Sequence, residues 1–367
     1  MLIMRMLRYL LLIVFAAGFS SCGANRIAKT QRVDWAEDIV SYFQVPEEWR
    51  GDYGSWSSPL IMQNGDRVRN AKQWAARRAE ILETWHKSMG RWPEIITGQR
   101  LERVDSVVLD DAIVRYRVML RWTPNEVTEG YLLVPQSDKP MPAVITLFYE
   151  PETAIGLGTK PNRDFAIQLA RRGFVTLSLG TTETSKTQTY AIRYPEKGKE
   201  EVEPLSMLAY AAANAYEAIA LEPMVDAERV GVMGHSYGGK WAMFASCLYD
   251  KFACAVWGDA GIVFAEDKGG MVNYWEPWYL GSLGTYERMK AQGHDLHELH
   301  ALMAPRPFLV SGGYSDERSQ WRVLNHTIAV NKLLGYEHRV AMTNRELHEP
   351  NVEANQVVYR FFEEYLK

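Results

Sequence analysis

From Leu101 to the C-terminus, apolar positions gather into short runs separated by polar turns, and the runs alternate between strand-like and helix-like character. The segments "RVDSVVLDD", "AIVRYRVMLRW" and "GYLLVP" read as successive strands joined by short turns. "PAVITLF" is a continuous apolar run of the kind carried by a parallel strand buried on both faces. Then come "RDFAIQLARRG" as a helix, "FVTLSLG" as a strand, a polar loop from Thr181 to Pro204, and the helix "SMLAYAAANAYEAIALE" leading to the apolar strand "RVGVMG". Beyond Ser236 the order repeats: helix "GKWAMFASCLYD", strand "FACAVWGD", an aromatic insertion over 259–300, strand "RPFLVSGG", helix "QWRVLNHTIAVNKLL", strand "HRVAMTN" and a final helix. This alternation predicts an α/β fold, a mainly parallel central sheet flanked by helices over 101–367.

Residues 22–100 have a different texture, polar and rich in tryptophan. In "NAKQWAARRAEILETWHKSMG" the positions Trp74, Ile81, Leu82 and Trp85 fall at helical spacing, and Gly90 with Pro93 ends the run. We read this segment as an N-terminal helical arm packed on the main domain. No internal repeat or low-complexity tract appears, which argues against a solenoid or propeller. The first residues, "MLIMRMLRYLLLIVFAAGFSSC", set Arg5 and Arg8 before an apolar run that is too short for a bilayer of about 30 Å and that matches an export signal over 1–21. "FSSC" resembles a bacterial lipobox, so Cys22 is expected to carry a lipid that holds the chain at the cell envelope, on the periplasmic face.

Composition adds a few limits. Hydrophobic residues make up 47% and charged residues 23% of the 367, as in a globular protein. The net charge of −4 gives no basic footprint for nucleic acid, and a monomer is expected. Twelve Trp, nineteen Tyr and twelve Phe supply flat apolar faces with polar edges, which suit stacking on sugar rings. Cys247 and Cys254 sit in apolar surroundings and read as buried thiols.

The chemistry centres on "VMGHSYGGKW". Gly234, His235, Ser236, Tyr237 and Gly238 form G-x-S-x-G between a strand and a helix, a turn that strains the serine and leaves its hydroxyl at the tip of the sheet. A serine needs a base, and the base an acid to orient it. The loop after the next-to-last strand, "LVSGGYSDERSQW", offers Asp316, and the loop after the last strand, "TNRELHEPN", offers His348. Glu317 and Asp259 are the alternative acids. Backbone N–H groups of Tyr237 and of Tyr149, with Glu150 beside it, are the candidate donors to an oxyanion. With this pattern the chain resembles the α/β-hydrolase superfamily over 101–367. The resemblance implies a serine hydrolase with an acyl-enzyme intermediate and no cofactor.

Lys240 lies in the first turn of a helix, where the dipole disfavours a cation. Glucuronoyl esterases are similar in carrying a lysine four residues after the nucleophile, and there it contacts sugar hydroxyls. This chain has His235 and Tyr237 where that family has Cys and Arg. The insertion gathers Tyr274, Trp275, Trp278 and Tyr279, read as a sugar platform, and the loop with Tyr190, Arg193 and Tyr194 offers Arg193 to a uronate carboxylate. His294, His297 and His300 drift around a helix at successive steps of three, so no metal is expected. The resulting expectation is a carbohydrate esterase acting on a uronic acid ester, either a pectic methyl ester or a glucuronoyl ester. The alternatives are a polysaccharide acetyl esterase, a peptidase of the prolyl oligopeptidase type, and a non-enzymatic binding module.

Overall fold

A computed structural model of the chain describes residues 37–109, 112–181, 191–264 and 271–367. Residues 1–21, Cys22 and Tyr190 lie outside these residues. The described strands form one sheet: β1 (Glu102–Val108), β2 (Val114–Arg121), β3 (Val127–Val134), β4 (Met141–Phe148), β5 (Val175–Gly180), β6 (Val225–His235), β7 (Cys254–Gly258), β8 (Phe308–Gly312) and β9 (Val340–Asn344). Their order is β1-β2-β3-β5-β4-β6-β7-β8-β9. The β1/β2, β2/β3 and β3/β5 pairs are antiparallel, and from β5 through β4 to β9 every pair is parallel. The burial of each strand follows its place in this order. β4 and β5 are buried at every position, as their unbroken apolar runs require, while the edge strand β1 is exposed throughout and carries Glu102, Arg103 and Asp105.

Among the described residues the α-helices of six residues or more are α1 (Ala71–Met89), α2 (Phe165–Ala170), α3 (Pro204–Ile219), α4 (Tyr237–Leu248), α5 (Thr285–Ala291), α6 (Leu296–Ala301), α7 (Trp321–Leu334) and α8 (Val352–Leu366). α3 buries every residue except Glu217, which explains why it is apolar around its whole circumference. In α1 the Asn70 side chain caps the first turn by accepting from the Gln73 N–H, and Gly90 ends the helix at φ 86°. Gly90 abuts the Glu201 backbone, where a β-carbon would collide. Trp74, Ile81, Trp85 and Met89 enter the same apolar core as the sheet, whereas Leu82 is only half-buried. Trp85 meets Phe244 of α4 edge-on at 6.0 Å between ring centroids. The arm therefore shares its core with the sheet.

Candidate active site

At the end of β6 the chain turns at Ser236 with φ 59° and ψ −117° and enters α4 at once. Only close approach of the flanking segments allows this, and two glycines permit it: a β-carbon on Gly234 would strike the Gly238 backbone, and one on Gly238 would strike the Leu147 carbonyl of β4. The Ser236 N–H donates to the Gly258 carbonyl at 2.7 Å, fixing the turn to the neighbouring strand. A positive φ at a serine is costly, and the cost is borne where the hydroxyl must project.

That hydroxyl lies 2.8 Å from Nε2 of His348, which stands in the loop after β9. Arg345 shapes this loop: its guanidinium donates to the carbonyls of Ser311, Gly312, His348 and Glu349 at 2.8 to 2.9 Å. The sequence reading did not single out Arg345, although an arginine three residues before the histidine was visible in "TNRELHEPN". His235, which the sequence places in the elbow without a role, is buried and packs its ring 4.8 Å from that of His348. Burial, with His348 and the cations Arg163, Arg345 and Lys160, holds its pKa well below the ordinary histidine value, so it stays neutral.

The carboxylate beside His348 corrects the expectation of Asp316. Nδ1 of His348 lies 2.5 Å from Oδ2 of Asp259, which follows β7. Asp259 has φ 45°, and its Oδ1 accepts from the N–H groups of Gly313, Ser315 and Asp316 at 2.9 to 3.0 Å. The loop after β8 thus offers its amides to the site, and these orient the neighbouring loop's aspartate. The Asp316 side chain faces the other way: Oδ1 accepts from the Ile262 N–H at 2.7 Å, and Oδ2 has no hydrogen-bond partner among the described residues. Burial, and then the nearby Asp259, raises its pKa to about 7. Glu317, the other alternative, is exposed.

Lys240 is 3% exposed, and its ammonium donates to the Met271 carbonyl at 3.1 Å. It also lies over the rings of Tyr274 and Tyr279, at 5.1 and 5.5 Å from their centroids. Desolvation lowers it to about 8 against the attraction of Asp316 and Asp259. Those two carboxylates explain how a cation is held in the first turn of α4 despite the dipole. Tyr274 is fully buried, with its hydroxyl on the Gly261 carbonyl at 2.8 Å. This corrects its reading as part of a sugar platform: it packs beneath the insertion. Trp275 and Trp278 are half-buried at the surface of the same insertion.

Tyr149 and Tyr237, the candidate oxyanion donors, flank the serine with rings stacked at 4.6 Å and 15°. Arg193 is half-buried and committed to Glu200 at 2.7 Å, which corrects its assignment to a substrate carboxylate. Of the three histidines, His294 pairs with Glu298 at 2.6 Å and His297 contacts the Ser57 carbonyl at 2.7 Å, while His300 is buried against Trp257. They do not converge. Cys247 and Cys254 are buried free thiols.

Residues 210–367 match the model of the prolyl oligopeptidase family. A curated relative, carbohydrate esterase MZ0003 from an unknown prokaryotic organism, is 23% identical over 342 residues, covering 76% of this chain and 78% of its own length. Among solved structures, the glucuronoyl esterase from Solibacter usitatus aligns with a TM-score of 0.68 at 17% identity, over 86% of this chain and 98% of that one. A promiscuous CE15 esterase from a marine bacterial metagenome aligns with a TM-score of 0.67 at 16% identity, over 88% and 98%. At these identities the structural likeness is one of fold.

Proposed function

We propose that this chain, an α/β hydrolase, is a serine carboxylic-ester hydrolase acting on a uronic acid ester of a polysaccharide. Ser236 is the nucleophile, His348 the base and then the acid, and Asp259 the carboxylate that orients the imidazole. The observation that carries the reading is the continuous contact from Ser236 Oγ through His348 to Asp259, at 2.8 and 2.5 Å. With Nδ1–H directed at Asp259, Nε2 is left as the acceptor for the serine proton. Ser236 Oγ then attacks the ester carbonyl, and N–H groups at Tyr237 and Tyr149 serve the oxyanion that forms. His348 returns the proton to the departing alcohol, and water repeats the sequence on the acyl-enzyme.

The carbohydrate class is supported by the relatives named above and by the half-buried Trp275 and Trp278 beside the insertion. The test is alcohol release from methyl-esterified galacturonan and from a glucuronate ester, with acetate release from acetylated xylan followed in parallel. Ser236→Ala is expected to abolish turnover while melting at the wild-type temperature. Acetate as the sole product assigns the sugar to the leaving group and makes the protein an acetyl esterase. The match to the prolyl oligopeptidase family favours a second reading, a peptidase, which predicts cleavage of a prolyl anilide that Ser236→Ala loses. The lipid on Cys22 and the periplasmic location are part of the proposal, and Cys22→Ser is expected to move the protein from the membrane to the soluble fraction.

A further inference from the structure

A cavity of about 610 Å³ opens between the loop that follows β4 and the segment 157–163 that precedes α2. Its volume falls in the range of small-ligand sites and accommodates a sugar ring with room to spare. One wall is Phe148 and Tyr149, and Tyr149 stacks on Tyr237, the residue after the serine. The opposite wall carries Arg163. This arginine is 8% exposed, and among the described residues no hydrogen bond or ion pair reaches its guanidinium. Its charged surroundings are Glu349, which attracts it without pairing, the Tyr149 hydroxyl and a second cation, Arg345. Burial partly desolvates the guanidinium, its donors are open to the cavity, and its planar fork matches a carboxylate.

The backbone fixes where this cation stands. Asn162, at φ 58°, donates from Nδ2 to the Pro350 carbonyl at 3.3 Å, and its own carbonyl accepts from Asn355 of α8 at 2.9 Å. Arg163 is thereby pinned to the loop that carries His348. Lys160 is exposed at the rim of the cavity and adds a further cation. Two acids share the lining. Glu150 is exposed, and Glu152 is turned to the Tyr131 hydroxyl at 3.3 Å, so neither neutralises Arg163.

We propose that this cavity is a subsite for a free carboxylate on the sugar chain beside the scissile ester, with Arg163 as the group that receives it. The assignment rests on the reading of Ser236 as the esterolytic centre for its place beside the ester, but the charge preference of the cavity is independent of turnover. The enzyme would thus attack an esterified uronate whose neighbour is already de-esterified.

The experiment measures binding to the Ser236→Ala protein, in which no ester is consumed. Digalacturonic acid and its dimethyl ester are titrated by calorimetry at low and at high salt. We expect the acid to bind at least tenfold more tightly than the ester at low salt, and the gap to narrow as salt rises. Adding Arg163→Gln should close the gap, and Arg163→Lys, which keeps the charge and loses the fork, should preserve part of it. Equal binding of acid and ester, or a preference for the acid that survives Arg163→Gln in a protein with unchanged melting, overturns the proposal. If Arg163→Gln does not fold, the Arg163→Lys protein and the salt dependence of the parent decide in the same way. Failure of the wild-type protein to hydrolyse any ester overturns the esterase reading and leaves the binding result standing.

Discussion

Asp259 and Asp316 occupy one buried volume, and their different hydrogen bonds give them different work. Asp259 accepts three backbone N–H bonds on one oxygen and the imidazole on the other. Asp259→Asn preserves this shape but offers His348 an amide, which favours the wrong tautomer; kcat is expected to fall roughly 10³- to 10⁴-fold. Asp316→Asn touches neither ring nor serine and is expected to cost at most about tenfold, so steady-state kinetics on the two variants distinguish the acid. The same residue sets a pH dependence. The Asp316 carboxyl is raised from 3.8 to about 7 in the folded chain. Between those values the native state holds more protons than the unfolded one, so stability from this group falls as pH rises through the window and is fully lost above it. Melting temperature is therefore expected to decline from pH 5 to pH 8 and to decline less in Asp316→Asn. An equal slope in both proteins removes Asp316 as the cause.

Which elements the chain would form was legible because their burial is uniform. β4 and β5 are buried at every position and read as unbroken apolar runs, and the elbow announced itself through two glycines that the turn cannot do without. Ser236 and His348 could be named because each follows a strand in the order the fold requires. The expected acid, Asp316, was the wrong one of two, because both β7 and β8 are followed by an aspartate. The choice depends on φ at Asp259 and on which loop lends its amides, and side-chain identity carries neither. Lys240 and Tyr274 were read as cleft residues, because an ammonium and a phenol look the same in sequence whether they face solvent or one another. Elements also depend on polar anchors invisible to periodicity. Glu203, fully buried before α3, accepts from Ser282, Leu283 and Thr285, the segment that leads into α5. Glu203→Gln keeps the size but turns an NH₂ toward these donors, and a loss of about 2–4 kcal/mol is expected in urea unfolding.

At the scale of the molecule, the arm before Leu101 and the insertion after β7 hold each other. Trp56 donates to Asp295 Oδ2 at 3.0 Å while Oδ1 of the same carboxylate accepts from the Phe264 N–H at 2.9 Å. Arg78 donates to the Leu302 carbonyl at 3.2 and 3.3 Å, and Arg77 bridges to Glu298 at 3.4 Å. Trp85, fully buried, fills the space between Phe244 of α4 and Phe264 at the root of the insertion. An arm packed in this way cannot unfold alone, since its removal would expose the inner faces of α4 and α6 together. A chain beginning at Leu101 is thus expected to be insoluble. Trp85→Ala should lose about 3–5 kcal/mol, the usual cost of deleting a buried large aromatic. Urea titrations of the full chain, followed by tryptophan fluorescence and by ester hydrolysis, are expected to give one midpoint, and the Trp85→Ala protein one lower midpoint. If activity were instead to vanish well before the fluorescence transition, the site would melt apart from the core, and the arm would be a separable clamp on the insertion.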